Sequence, residues 1–466
     1  MNPNNSPWLA QLNLSREVKV IKENCDCDVL IVGAGIAGIM TAYFTLKYTD
    51  RMVTVLEGSK VAHGATGHNA GQIVSDFEKR FTELVRDFGI DKASDAERSV
   101  RSSWVLLEQM FEDASLTTPL SSFMGYNGLR TVEHVVDEII SNRLRKEAGL
   151  LIYPIYVSSE VASDQRFVGV PKEFYEVITE DDILSLLETD DRSYIAVTST
   201  RKGCVNGALL TEELAGYMLK KFGNRFRLFE HTSVKVVELD KESANVLVST
   251  NRKDGNPEDE FKVHANRVIL CTNGFERLHI KNLSGDDIDT KFHHMISGNI
   301  GYMAAYTEPL NNPPTAIAYF DQEGSRQVYG TDDYFYITRR PFETEKNERH
   351  NLICIGGPQT PIEHTERYNR YAPFEEEKGK EIDTFLKQTF RTSEKKELEY
   401  KFKWHGIMCY TPSGMRVIGS EPKNELLMYN LGCNGVGIMS SIYGGHKIAK
   451  LLKGDKFPPS AFDPKV

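Results

Sequence analysis

The sequence predicts an α/β fold, and three observations carry that prediction. A short apolar run rich in β-branched residues, Asp28-Val29-Leu30-Ile31-Val32, is followed at once by glycines. A helical stretch from Ile36 to Tyr48 and a second apolar run, Met52 to Leu56, come next. Runs of this kind, apolar throughout and separated by a helix, form parallel strands buried on both faces. Further apolar and glycine-rich stretches recur far downstream, at Arg267 to Gly274 and at Asn430 to Gly437 ahead of a helix reaching Lys453. The front of the chain is therefore a strand, glycine turn, helix, strand unit.

Bulk properties narrow the class. A chain of 466 residues is too long for one small domain. With 40% hydrophobic and 26% charged residues it has an ordinary globular balance. A net charge of −10 argues against nucleic acid, which needs a basic face, and gives no support for docking on anionic lipid. The seven cysteines are scattered and odd in number, and Cys25 and Cys27 are too close together for a redox or zinc pair. Free thiols in a reducing compartment, and no metal, are expected. The start, Met1 to Asn5, lacks a basic segment before an apolar one, and nothing approaches the roughly 18 apolar residues of a membrane span. The expectation is a soluble cytoplasmic protein.

The remaining elements follow in order. Residues 1–26 are polar and are expected to lie over the surface as an arm. Residues 75–115 and 132–148 are charged and helical in pattern, whereas 150–200 mix short apolar and acidic runs. Ala208 to Lys221 reads as an amphipathic helix with Leu210, Leu214 and Met218 on one stripe. Strands are expected at Ser233 to Glu238 and Ala244 to Thr250, then a polar turn from Arg252 to Asp259. Residues 290–400 are rich in strand candidates, including Met303 to Tyr306, Tyr334 to Thr338 and Leu352 to Ile355, with a helix at Glu375 to Thr389. His293 and His294, read on a strand, would face opposite sides.

The first glycines carry a mechanism. Gly33-Ala34-Gly35-Ile36-Ala37-Gly38 is a GxGxxG placed after a strand and opening a helix, the context of a Rossmann-type dinucleotide site. Gly33 permits the tight turn, Gly35 lets backbone reach a pyrophosphate, and Gly38 allows the helix to pack closely on the sheet. The N–H groups of Ile36 and Ala37 lie at the helix N-terminus, where phosphate is favoured. Glu57, ending the second strand, is placed to accept from ribose hydroxyls and disfavours a 2′-phosphate. The small-residue loop Gly64-Ala65-Thr66-Gly67-His68-Asn69-Ala70-Gly71 then points to FAD over NAD, because it can line an extended pyrophosphate and flavin arm.

On these motifs the chain resembles the D-amino acid oxidase-like (DAO) superfamily, which includes glycine and sarcosine oxidases and gamma-glutamylputrescine oxidase. The resemblance runs from about Asp28 to Gly454. Its further carriers are Gly203-Cys204-Val205-Asn206, Thr232-Ser233-Val234, Arg267 to Gly274, Tyr410-Thr411-Pro412-Ser413-Gly414 and Gly432 to Met439, in the family's order. It implies an FAD-binding domain of residues 27–115, 200–282 and 401–460. Interleaved with it is an α+β substrate domain of 116–199 and 283–400, built on a mixed, largely antiparallel sheet. It implies that Val234 holds adenine, that Thr272, Asn273 and Gly274 follow a cofactor strand, and that Gly406, Asn434, Gly435, Val436, Gly437, Ile438 and Met439 meet the flavin.

The chemistry implied is oxidation of a small amine or amino acid by hydride transfer to flavin N5. The resulting imine then hydrolyses, and oxygen or another acceptor takes the electrons. The glycine-oxidase arginine that grips substrate carboxylate falls on Met408, which cannot form a bidentate clamp. Either Arg339, Arg340 or Arg416 supplies it, or the substrate lacks an α-carboxylate; an amine or N-substituted amino acid is favoured. Tyr302, Tyr334 and Tyr336 are candidates to orient substrate, and His405 is a candidate polar partner. His68 stands where relatives carry Arg or a flavin-linked His. A noncovalent contact is favoured over attachment there, and Cys409 is a weaker attachment point. Competing readings are a dehydrogenase with a protein or quinone acceptor, a flavin-bound assembly protein without turnover, and an FAD hydroxylase.

Overall fold

The apolar run before the first glycines becomes the strand Cys25–Val32, and Val29, Leu30 and Ile31 are fully buried in it. It pairs in parallel with Val53–Leu56 on one side and with Glu260–Leu270 on the other. Val53–Leu56 pairs onward with Phe226–Phe229, and Glu260–Leu270 with Asn424–Leu431, both in parallel. Five strands drawn from four distant parts of the chain thus share one direction. The helix Ile36–Tyr48 packs against Gly437–Lys453 and Gly207–Lys221. It is buried along nearly all its length, in keeping with its largely apolar composition, and the buried Thr41 and Thr45 hydroxyls donate to backbone carbonyls one turn back. The first half of Glu260–Leu270 carries an antiparallel meander of Thr232–Leu239 and Ala244–Thr250, completing a nine-stranded sheet with His279–Asn282 and Val417–Glu421 at its margins.

The second sheet has ten strands and is largely antiparallel. Ser297–Glu308 lies between Arg349–Ile362 and Phe402–Tyr410, and Tyr334–Glu343 lies between Arg349–Ile362 and Thr315–Phe320. Thr315–Phe320 joins in parallel to Leu120–Leu129, which pairs with Ala196–Val205. The computed structural model describes residues 4–12, 16–250, 259–274, 278–320, 334–343, 348–363, 368–391 and 398–465. Apart from its last residue, Asp259, the expected turn at Arg252 to Asp259 lies outside them. The α/β class and the mixed, largely antiparallel second sheet agree with the expectation.

Three features differ from the sequence reading. The amino-terminal segment does not lie over the surface: Asn4, Ser6 and Trp8 are fully buried. Its polar groups satisfy a loop and a strand of the interior, and its indole fills a hole beside Trp404, with ring centroids 6.2 Å apart and edge-on. Phe402–Tyr410, assigned by the sequence to the nucleotide-binding part, hydrogen-bonds to the second sheet, and so does Gln72–Val74 through Ala196–Val205. His293 and His294 end a short helix, Asp289–His294, instead of lying on a strand. They still diverge: His293 lines the main cavity and His294 a smaller one.

Candidate active site

One cavity of about 890 Å³ runs between the two sheets, at the upper end of the sizes usual for small-molecule sites. Its floor at one end is the first glycine turn. Gly33 has φ +100° there, and a Cβ on it would lie 2.8 Å from the Cys271 carbonyl oxygen. A Cβ on Gly38 would lie 1.8 Å from the Gly33 carbonyl oxygen, so the helix reaches the sheet only because residue 38 has no side chain. Gly33, Gly35, Ile36 and Ala37 line the cavity; Gly38 sits behind them.

Glu57 lines the same end. Its two carboxylate oxygens each accept one backbone N–H, from Ala34 at 2.9 Å and Ser59 at 2.8 Å, and keep lone pairs for further donors. Burial raises its carboxyl above the usual range, and these two N–H donors oppose that rise. Thr232, Ser233 and Val234 close this end beside Gly58.

The small-residue loop docks directly on the glycine turn, since the Ile36 N–H donates to Thr66 Oγ1 at 2.9 Å. Gly64, Ala65, Thr66, His68, Asn69 and Ala70 line the cavity, whereas Gly71 packs against Trp8. His68 Nδ1 donates to the Gly64 carbonyl at 2.9 Å, leaving buried Nε2 without a partner. Burial pushes the imidazole down to about 4, so it is neutral at physiological pH. The loop is held from outside by the amino-terminal segment. Ser6 donates to the Gly67 carbonyl and the Trp8 indole N–H to the Asn69 carbonyl. Asn4 and His405 exchange two hydrogen bonds through the His405 backbone, at 2.9 and 3.1 Å. A Cβ on Gly406 would lie 2.6 Å from the His68 carbonyl oxygen, so strand and loop touch through bare backbone.

The carboxy-terminal glycines reach the middle of this cavity. Cys433 N–H donates to Asn273 Oδ1 at 2.9 Å, tying them to the turn after Glu260–Leu270. Gly435, Val436, Gly437 and Ile438 line the cavity, and the helix Gly437–Lys453 begins with no side-chain cap on its N–H groups. Thr272, Asn273 and Gly274 line it too, and Thr272 Oγ1 is buried without a partner. Asn434 and Met439 do not. Asn434 Oδ1 accepts the Thr411 N–H, fixing the turn, and Met439 is fully buried in the core.

The opposite end is a roof of side chains: Tyr302, Met303, Tyr334, Tyr336, Gln359, Met408 and Tyr410, with Glu78 facing them. The Tyr334 hydroxyl donates to Glu78, at 3.0 Å to Oε1. Burial pushes the Glu78 carboxyl up to about 7. Tyr302 lines the cavity, but its hydroxyl is engaged by Glu375. Met408 lines the same end.

Among the residues expected to act on substrate, Arg339, Arg340 and His405 lie outside the cavity. Arg339 is buried in ion pairs with Glu188 and Glu308 on the far face of its strand. His405 is buried outside the cavity, accepting the Tyr368 hydroxyl at Nδ1 and donating from Nε2 to the Ala372 carbonyl, each at 3.0 Å. Arg416 lines the cavity, yet its guanidinium donates to Asn430 and Gly432. Arg340 is packed over the Trp8 ring, 4.7 Å from its centroid. Sequence reasoning missed Glu78, His63, Gln359, Tyr368 and Arg370. Glu78 sits in a charged run that reads as surface helix, and no local pattern distinguishes it.

The donor set fits a flavin dinucleotide. Bare backbone at Gly33 and Gly35, an uncapped helix start at Gly437, and orphaned polar atoms on His68 and Thr272 all need a large, partly anionic, hydrogen-bonding guest.

Comparison with known proteins gives the same answer. The family profile described as FAD dependent oxidoreductase (DAO) matches residues 28–451. The gamma-glutamylputrescine oxidoreductase of Escherichia coli (strain K12) is 32% identical over 88 residues, 19% of this chain and only 20% of that protein's length. The solved glycine oxidase from Geobacillus kaustophilus superposes with a TM-score of 0.63 over 94% of this chain and 96% of that one, at 17% identity. The L-proline dehydrogenase from P. horikoshii superposes with a TM-score of 0.63 over 95% and 97%, at 18% identity. These likenesses in shape speak for the fold.

Proposed function

The chain belongs to the DAO family of FAD-dependent oxidoreductases, and from that membership we propose that it oxidises a small amine or N-substituted amino acid at a carbon–nitrogen bond. FAD, when bound, supplies the two-electron acceptor; the protein binds, orients and excludes water. In this reading Gly33, Gly35, Ile36 and Ala37 hold the pyrophosphate, Glu57 the ribose and Val234 the adenine. The loop from Gly64 to Ala70, with Thr272 to Gly274, Gly406 and Gly435 to Ile438, encloses the remainder. Gly38, Gly71, Asn434 and Met439 act one layer back, by letting those segments approach.

The observation that carries the choice of substrate class is the roof. It presents tyrosines, methionines, Gln359 and one carboxylate, while Arg339 and Arg416 are engaged elsewhere, Arg340 lies against the Trp8 ring outside the cavity, and Arg370, which does line the cavity, donates to the His63 carbonyl at 3.2 Å and acts on Glu57 and His68. A carboxylate clamp needs a guanidinium turned to the substrate. Among the described residues the Tyr336 hydroxyl meets no carboxylate, its partner being the Met303 sulfur at 3.7 Å. We assign it to orienting substrate, and Met408 to packing against it. FAD is taken to be held without a covalent bond, His68 contacting it through the unpartnered Nε2, and oxygen is taken as the acceptor.

The test is an anaerobic screen of amines and amino acids against the purified yellow protein. Loss of flavin absorbance with amines, and peroxide formation on admitting air, are expected. A protein that no amine reduces would overturn the reading. Reduction without peroxide would move the acceptor to a protein or quinone. Colour that stays with acid-precipitated protein would make His68 or Cys409 an attachment point.

A further inference from the structure

We propose that Glu78 is the recognition site for the substrate's ammonium group and the acceptor of its proton, so that the oxidisable molecule enters the cavity as an amine cation. This rests on the flavin-site reading above and deepens it.

Two carboxylates line the cavity among the described residues, Glu57 and Glu78. They differ in how far they are satisfied. Glu57 has a backbone N–H on each oxygen. Among the described residues Glu78 receives only the Tyr334 hydroxyl, at 3.0 and 3.3 Å from its two oxygens. An ionised carboxylate offers about four acceptor positions, and a buried one left so open is costly unless a cation or donor completes it.

The surroundings specify that guest. Tyr334 and Tyr336 stand with ring centroids 5.8 Å apart, and Tyr410 faces the same carboxyl from the neighbouring motif. Aromatic walls around a carboxylate suit an ammonium ion, which the ring faces and the negative charge both attract. Among the described residues, the cation acting on Glu78 is Lys202, whose own ammonium is spent on Asn127 Oδ1 at 2.7 Å and the Tyr126 carbonyl at 3.3 Å. The other charged group near Lys202 is Asp76. The carboxyl also lies where the chemistry must occur. A Cβ on Gly435 would be 2.4 Å from Glu78 Oε1, so the acid reaches across the glycine turn that opens the carboxy-terminal helix.

The step is a proton transfer alone. The N–H bond of the substrate ammonium breaks, an O–H bond forms on Glu78, and the electron pair stays on nitrogen, leaving a neutral amine beside a neutral carboxyl. No electrons change hands. The raised carboxyl, near 7, brings its proton affinity closer to that of an amine than an exposed glutamate's would be.

The test uses the FAD-loaded protein and three probes of one shape: n-butylamine, butyrate and 1-butanol. Binding is read from perturbation of the flavin spectrum and from the thermal shift. Butylamine is expected to bind at least tenfold more tightly than butyrate. Glu78→Gln is expected to lose at least tenfold in butylamine affinity with butanol binding and FAD content unchanged, and Glu78→Asp to restore part of it. Should Glu78→Gln fold poorly, Tyr334→Phe decides. Removing that donor raises the carboxyl, so the acid limb of butylamine binding moves to higher pH. A limb that stays in place, butyrate bound as well as butylamine, or full amine affinity in flavin-loaded Glu78→Gln each overturns the proposal while leaving the flavin reading intact. A colourless protein that takes up no FAD sinks both.

Discussion

The two ends of the cavity are built in different ways. From the glycine-lined end to the middle, the contacts come largely from residues a few positions apart: Gly33 to Ala37, Gly64 to Ala70 and Gly435 to Ile438. At the tyrosine-lined end they are side chains brought from residues 78, 302, 334, 336, 408 and 410 by strand pairing across the second sheet. The first end is specified by local geometry and tolerates little change in the residues that form it. The second depends on register, so its chemistry is set by residues that no spacing rule connects.

The comparison is broken most severely by Gly38→Ala. Its Cβ would meet backbone at 1.8 Å, and relief requires the helix to lift from the sheet, costing about 3 kcal/mol or more. We expect protein without flavin after gel filtration; full flavin content would mean that the turn is more pliant than its geometry indicates. Trp8→Ala is expected to cost about 4 kcal/mol in denaturant unfolding, as truncation of a fully buried Trp does, and to weaken FAD binding through the freed loop. If stability falls while FAD affinity holds, the loop supports itself.

Arg339→Ala sharpens the contrast from the other end. It leaves Glu308 buried without its guanidinium, for about 3 kcal/mol, yet amine-driven flavin reduction by the folded fraction should match the wild type. Slower reduction at full FAD occupancy would return Arg339 to the site. The smallest effect concerns His68. Its folded value is depressed from 6.5 to about 4, so the unfolded chain binds its proton first as pH falls. The stability it contributes is complete above about pH 6.5 and falls by about 2 kcal/mol by pH 5 and about 3 kcal/mol toward pH 4. Urea melts at pH 7 and pH 5 should converge for His68→Asn relative to wild type; an unchanged gap would assign the pH dependence to other groups.

Legibility follows the same divide. Gly33, Glu57 and the helix after Gly437 were readable because strand, turn and helix signals are short-range. Arg339 was a readable error. In Tyr334–Glu343 side chains alternate, so a residue five positions from Tyr334 cannot share its face. His405 is adjacent to Gly406 in sequence, but its ring turns to Tyr368, a partner no pattern announces. Glu78 was illegible for a similar reason. Its charged neighbours Asp76, Lys79 and Arg80 mark solvent, and the pairing of Gln72–Val74 with Ala196–Val205 carries the following residues inward. The buried amino-terminal segment shows that polar composition predicts exposure only when no interior group needs those polar atoms.

The hydrogen bonds between Asn4 and His405 join positions 401 residues apart. Closing so long a span is among the last and slowest events available to a chain. The side wall of the cradle formed by His68 and its neighbours is therefore sealed only after nearly the whole polypeptide has been made and has collapsed. That seam ties the first of the described residues to the strand beside the cradle.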